Sequence, residues 1–435
     1  MNVPRLRLIL VLLASGIGGF TSVSAAARDC DNTGKYIAAH PVPVSTPELV
    51  GAIRSALGRT LAQDIISPIH VPAHNNSAMD GFALDASQLK ADHPLALRVV
   101  GTALAGKAWQ GKVNAGECLK IMTGAILPDG LDTVVPQEFC HIDNAHDVTT
   151  VTIPPNILKA GDNRRLLGED LMQGEPALKA GQHLTPAALG LIASLGLPDV
   201  RVHRRLRVAY FSTGDEILSL GEAPREGAVY DSNRYTVFGL LTRLGLEVID
   251  LGVVRDDPAT LEAAFRQAAQ QADAIITSGG VSVGEADFTK AMMKKLGDVA
   301  FWKIAMRPGR PMAVGRIGKS VLFGLPGNPV AVMVTFLAFV RPALLRMMGS
   351  TTQPAPLLRA KCLEPLRKKA GRTEYQRGFV SSAPDGTLQV RTTGNQGSGV
   401  LSSMVQGNGL IVLHHAQGNV AVGDEVDVMM FEGAI

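Results

Sequence analysis

The chain reads as a multidomain α/β plus β protein, and three observations carry that reading. From Leu206 to about Gly349, β-rich and amphipathic runs alternate; Asp273–Asp287 ends a β-branched run in glycines and acids; after Pro354 helical patterning stops. Alternating βα units build a mostly parallel sheet covered on both faces. A chain of 435 residues is too long for one core and implies about two to four domains.

Taken in order, Thr46-Pro-Glu-Leu-Val-Gly-Ala-Ile has a capping-box-like start and predicts a helix, followed by extended chain over Ile65–Val71. Between Ala73 and Asn163, β-rich runs such as Leu95–Val100 and Asp147–Ile153 alternate with glycine turns and predict a small β domain. The run starting Leu184-Thr-Pro has an apolar helical face with proline in its first turn, where a missing N–H costs nothing. Its return to the N-terminal segment would make a discontinuous linker domain.

In the α/β region, strands are expected at Arg207–Ser212, Glu247–Val254 and Ala274–Ser278, and near Ala300, Met312 and Val321. Helices are expected at Tyr235–Leu244, Ala259–Ala272, Phe288–Leu296 and Val330–Met347. Runs at Phe379–Ser382, Leu388–Thr392, Leu410–Leu413 and Glu425–Met430 predict a C-terminal β-barrel or sandwich. The division is then 1–21 as a hydrophobic extension or signal peptide, 22–72 with 170–205 as the linker domain, 73–169 small β, 206–349 α/β and 350–435 C-terminal β.

Composition narrows the function. A net charge of +3 with no basic run or RNA-binding aromatic motif excludes nucleic acid as the expected partner. Cys30, Cys118, Cys140 and Cys362 lack CxxC spacing and suggest neither a zinc site nor a disulfide framework. Arg5 and Arg7, the apolar run to Phe20 and Ala25–Ala27 form a secretory signal pattern, too short to span a membrane as an ordinary helix.

The chemistry concentrates at strand ends. Ser278-Gly279-Gly280, Ser282, Gly284 and Asp287 form a loop that admits a phosphate or planar ring close to backbone N–H groups, because residues without side-chain bulk do not block it. Two acids in such a loop call for a hard divalent cation between them and a phosphate. Glu216, Asp256 and Asp287 stand on loops expected at one sheet edge, where they could hold Mg²⁺. Lys303, Arg307 and Arg310 suit an oxyanion. Pro326-Gly327-Asn328 is a rigid turn. Taken singly, each acid reads as an N-cap or turn residue, Asp215 and Asp256 included, and each cationic stretch as a solvated loop. In isolation Asp80 and Asp170 also sit in sequences typical of a surface turn and a hinge.

Together, NSAMDGFAL, MTGAILPDG, GDNRRLLGED, FSTGDEI, YDSNR, VRDDP, TSGGVSVGEAD and LPGNPVA, in this order, closely resemble the molybdopterin molybdenumtransferase (MoeA) family, related to the E domain of gephyrin. The resemblance runs from about Ser22 to the C-terminus. It implies Mg²⁺-dependent insertion of molybdate into adenylylated molybdopterin with release of AMP. It also implies a four-domain elongated homodimer whose site lies between the α/β domain of one subunit and the small β domain of the other. Carried over by motif, Asp80, Asp170, Glu216, Asp256, Asp287 and Lys303 are the implied catalytic residues, and Ser398 belongs to a C-terminal substrate motif. The implied partners are the upstream adenylyltransferase and molybdoenzyme maturation factors.

Departures from the family pattern are Asn75 where aspartate is common, and Arg307 and Arg310 where lysines are common; arginine keeps the charge but changes the geometry. Asp31–Lys35 interrupts the first helix. A gephyrin-like scaffold and an adenylyltransferase are the competing readings. The first does not need all of these acids, and the second does not explain the long N-terminal region or the β-rich tail. A labile cytosolic substrate argues for a cytoplasmic protein without stable membrane association, with Met1–Phe20 an extension or misplaced start.

Overall fold

The computed structural model describes residues 43–145, 147–281 and 288–431. The apolar run to Phe20, Ala25–Ala27, Cys30, the Asp31–Lys35 interruption, and Ser282, Gly284 and Asp287 of the glycine-rich loop lie outside the described residues. The chain divides into two units, one built from Pro43–Arg205 with Leu344–Pro354, the other from Leu206–Ala343 with the chain from Ala355 onward.

In the first unit, the helix expected at Thr46 is instead a strand, Pro47–Val50, paired antiparallel with Val200–His203. The Thr46 carbonyl accepts from the Arg204 N–H at 2.9 Å, so a distant partner satisfies backbone that the local capping signal would have turned inward. One 3₁₀ turn follows at Ile53–Ala56. Helix Pro186–Ser194 starts where proline and the Thr185 cap place it, the Thr185 hydroxyl accepting from the Ala188 N–H. It buries Ala188 and Ile192 with Ala56, Leu61, Val200 and Val202. The β-rich segment forms a six-stranded sheet ordered Thr133–Pro136, Gly81–Leu84, Glu117–Ile121, Leu95–Ala103, Val148–Ile153, His141–Ala145.

The second unit carries a six-stranded sheet ordered Glu247–Val254, Arg207–Thr213, Ala274–Ser278, Ser320–Leu325, Pro311–Ile317, Gly297–Lys303. The first four strands are parallel, and Pro311–Ile317 is antiparallel to both neighbours, so Gly297–Lys303 again runs with the parallel set. Helix Pro258–Gln271 covers one face, burying Leu261, Phe265 and Ala268 against Ala209, Phe211 and Ile275. The helical stretch Pro329–Met347 passes through a π segment at Phe336–Val340. It is long and apolar enough to cross a membrane, with mean hydropathy 1.8, but 78% of it is buried within the fold, as a core helix would be.

The C-terminal strands close into a five-stranded barrel: Thr373–Ser382 pairs with both Leu388–Thr392 and Gly409–Leu413, and Leu358–Cys362 and Glu425–Met430 complete the ring. Closure removes open strand edges. The two-residue strand Met306–Arg307 leaves the α/β domain to pair with Thr373–Glu374 of the barrel.

Candidate functional site

Chain order along the parallel set reverses between Arg207–Thr213 and Ala274–Ser278, since the path steps from the first strand to Glu247–Val254 and returns past it. In an open α/β sheet the crevice at such a reversal, beyond the C-terminal strand ends, receives the ligand. The loops bearing Glu216, Asp256, Gly279–Gly280, Lys303 and Pro326–Asn328 all leave the sheet at that edge.

Gly279 and Gly280 turn the chain with φ of +91° and +62°. A Cβ on Gly279 would lie 2.5 Å from the Thr213 carbonyl oxygen, and one on Gly280 2.3 Å from the Thr289 Cβ, so both space and conformation demand glycine. The Gly279 N–H donates to the Leu325 carbonyl at 3.2 Å. Asn233 Nδ2 donates to the Gly327 carbonyl at 2.7 Å. Pro326 is buried, while Gly327 and Asn328 are exposed. Asn328 Nδ2 donates to Ser398 Oγ at 2.9 Å, and the Ser398 carbonyl accepts from the Val330 N–H at 3.1 Å, so the first turn of the long helix meets the C-terminal motif.

Ser278, expected to touch ligand, is 2% exposed, and its hydroxyl is occupied by Tyr210 at 2.6 Å and Ser212 at 3.1 Å. The parallel register that sets Ser278 beside Ser212 turns it into the sheet's own polar network.

Glu216 is exposed and Asp256 half-buried. Their loops meet where the Asp256 N–H donates to Asp215 Oδ1 at 3.3 Å and Arg255 donates to the Asp215 carbonyl at 3.2 Å. Neither Asp215 nor Asp256 is an N-cap. That role falls to Asp257, whose carboxylate accepts from the Thr260 N–H and hydroxyl at 2.8 Å each and is held below the usual carboxylate range by them. Among the described residues, no group of three or more His, Cys, Asp or Glu side chains comes together to hold a metal.

In the other unit, Asp80 Oδ1 accepts from both the hydroxyl and the N–H of Thr123 at 2.7 Å, which lowers its pKa. Asp170 is exposed, its N–H donating to the Val71 carbonyl at 3.0 Å. Asn75 Oδ1 accepts from the Leu167 N–H at 2.8 Å, a bond that needs an acceptor and no charge.

Lys303, Arg307 and Arg310 are exposed. Arg307 and Pro308 line a cavity of about 270 Å³ with Glu364, Tyr375, Arg377 and Gln396 of the barrel. Arg377 is 1% exposed. It donates to Ser403 Oγ at 2.9 Å and to the Asn395 and Gly397 carbonyls at 3.2 and 3.0 Å. Burial, with Arg307 nearby, brings its pKa down to about 10. At about 10 it stays charged at neutral pH, with these hydrogen bonds going to neutral oxygens.

The profile of the MoeA N-terminal region (domain I and II) matches residues 25–196, that of a probable molybdopterin binding domain 209–346, and that of the MoeA C-terminal region (domain IV) 359–431. The molybdopterin molybdenumtransferase of Haemophilus influenzae is 43% identical over 392 residues, covering 90% of this chain and 95% of that one. The chain belongs to the molybdopterin molybdenumtransferase family. The Bacillus subtilis enzyme of that name is 31% identical, covering 87% of this chain and 89% of its own. A crystal structure of the Pyrococcus horikoshii molybdopterin biosynthesis MoeA protein superposes with TM-score 0.78 at 25% identity, over 93% of this chain and all of that one.

Arg377 was not singled out in sequence. Its place inside Thr373–Ser382 looks like any charged residue on a strand, and only barrel closure buries it. Adjacency to Gln396-Gly397-Ser398 in the tertiary structure, unreadable from spacing, is what marks it. The Glu216 and Asp256 loops supply hard oxygen donors, which suit a divalent cation bound through one or two carboxylates plus ligand phosphates and waters, without an all-protein cage.

Proposed function

We propose that the chain inserts molybdate into adenylylated molybdopterin with release of AMP, in molybdenum cofactor biosynthesis. The observation that carries this is the convergence, on one sheet edge, of a backbone-lined glycine turn, two acid-bearing loops and a cationic segment that continues into the Arg377 cavity. The glycine turn at Gly279–Gly280 admits the pterin or phosphate end of the substrate, with Gly327 and Asn328 closing its far side. Arg307 and Arg377 attract the molybdate oxyanion, and the Asn328–Ser398 contact sets how near that anion lies to the strand ends. Lys303 and Arg310 add positive charge at the rim.

Glu216 and Asp256, with Asp287, would hold Mg²⁺, which when bound neutralises charge on the phosphoanhydride as it breaks. Asp80, an anion held by two hydrogen bonds from Thr123, is suited to orient a reacting group with its other oxygen rather than to take up a proton, and Asp170 offers a second exposed carboxylate. We place the protein in the cytoplasm as a homodimer; recovery in a cytosolic fraction and twice the mass of the 45.9 kDa chain by sedimentation are the expected results.

The deciding experiment measures AMP release by purified protein from adenylylated molybdopterin with Mg²⁺ present and molybdate varied. Release that depends on molybdate is expected. A folded dimer that releases none would replace catalysis with a scaffold role.

A further inference from the structure

We infer that Tyr210, Ser212 and Asp231 form a buried relay that positions the Ser278–Gly280 turn, and with it adenylylated molybdopterin, while leaving molybdate binding untouched. The inference rests on the transferase reading above and assigns these side chains a positioning role.

The relay follows from register. Side chains alternate across a strand, so Tyr210 and Ser212 share one face while Phe211 points to the other, where its ring meets Phe265 with centroids 5.1 Å apart. Parallel pairing sets Ser212 beside Ser278. Tyr210 Oη therefore lies 2.8 Å from Ser212 Oγ and 2.6 Å from Ser278 Oγ. All three are buried, and so is Asp231, which caps helix Ser232–Arg243 through the Arg234 N–H at 3.1 Å.

Direction comes from the carboxylate, which only accepts. Ser212 donates to Asp231 Oδ1 at 2.9 Å and so must itself receive from Tyr210 or Ser278. Burial raises the Tyr210 phenol far above its ordinary pKa, with the hydrogen bonds from Ser212 and Ser278 opposing, so it remains a donor. Whichever of the two donates to Ser212, Ser278 Oγ stays bonded between Tyr210 and Ser212, which fixes its rotamer. The Ser278 carbonyl accepts from Thr213 Oγ1 at 3.4 Å, and the next residue is tied to Leu325, so the turn is held from both neighbouring strands. The same helix turn reaches a third loop through Asn233 and Gly327. Apolar packing would hold these strands equally well; three linked hydroxyls, one of them anchored on the Asp231 carboxylate, add a directional constraint on the loop that packing lacks.

The test is steady-state AMP release by Tyr210→Phe, Ser278→Ala and the double variant, each substrate varied in turn. Each single change is expected to raise the KM for adenylylated molybdopterin about tenfold, as small misplacements of a bound substrate do. Half-saturation by molybdate stays close to wild type, while the Tm falls somewhat because a buried hydroxyl loses its partner. Because both changes break one relay, the double variant is no worse than the worse single, and Ser278→Thr, which keeps the hydroxyl, recovers most of the loss. If Tyr210→Phe fails to fold, the Ser278→Ala and Ser278→Thr pair decides the question. Unchanged KM, additive losses, or equal weakening of molybdate would each overturn the relay. Wild-type protein without molybdate-dependent release defeats the transferase reading and the relay with it, whereas active wild type with indifferent variants defeats the relay alone.

Discussion

Thr123 places both its donors on one oxygen of Asp80, and the side-chain bond does most to lower the pKa. A carboxylate with a lowered pKa stays ionised to more acid pH than usual, and removing donors moves it back up. If catalysis needs ionised Asp80, Thr123→Val shifts the acid limb of the kcat/KM profile toward the ordinary carboxylate range. A limb that does not move removes Asp80 from the groups whose ionisation limits the rate. Asp80 was singled out only through the family resemblance, since AMDG by itself reads as a surface turn. Thr123 was not, since 43 residues separate donor from acceptor and only the pairing of Gly81–Leu84 with Glu117–Ile121 brings them together.

At the scale of an element, the start of helix Pro258–Gln271 separates two adjacent acids. Asp257 is spent on the cap, while the backbone N–H of Asp256 meets Asp215 on the loop that also carries Glu216. Asp257→Ala should lower the Tm and leave kcat/KM within about twofold, since only the Thr260 N–H and hydroxyl lose their partner. Asp256→Asn should do the reverse, retaining stability and losing about 100-fold in kcat/KM, the range for a group acting on reacting charge. Kinetics and melts on the two variants check the pair, and matching behaviour would contradict it. The helices and parallel strands of the α/β domain were readable because periodicity and strand-end glycines are local signals. The strand at Pro47–Val50 was misread as helix because its partner lies about 150 residues away at Val200–His203, and no local propensity reports such a pairing.

At the scale of the whole molecule, the α/β domain and the barrel of the second unit are joined by the pairing of Met306–Arg307 with Thr373–Glu374 and by Asn328 on Ser398. An anion held between Arg307 and Arg377 would bind only where that join is made, so molybdate should stabilise the folded protein by mass action. At roughly 100 times its Kd the gain is about 2.7 kcal/mol, a rise of several degrees in the Tm of that unit. Arg377→Met fills the same space without charge. It leaves the Asn395 and Gly397 carbonyls without their donor, at about 1–3 kcal/mol for a buried unpaired group. Its baseline Tm therefore falls, and the informative quantity is the molybdate-induced shift measured against that lower baseline. The shift should vanish in Arg377→Met and shrink in Ser398→Ala. A full shift in Arg377→Met would move the anion out of the barrel cavity and leave the exposed Lys303 and Arg310 to account for molybdate.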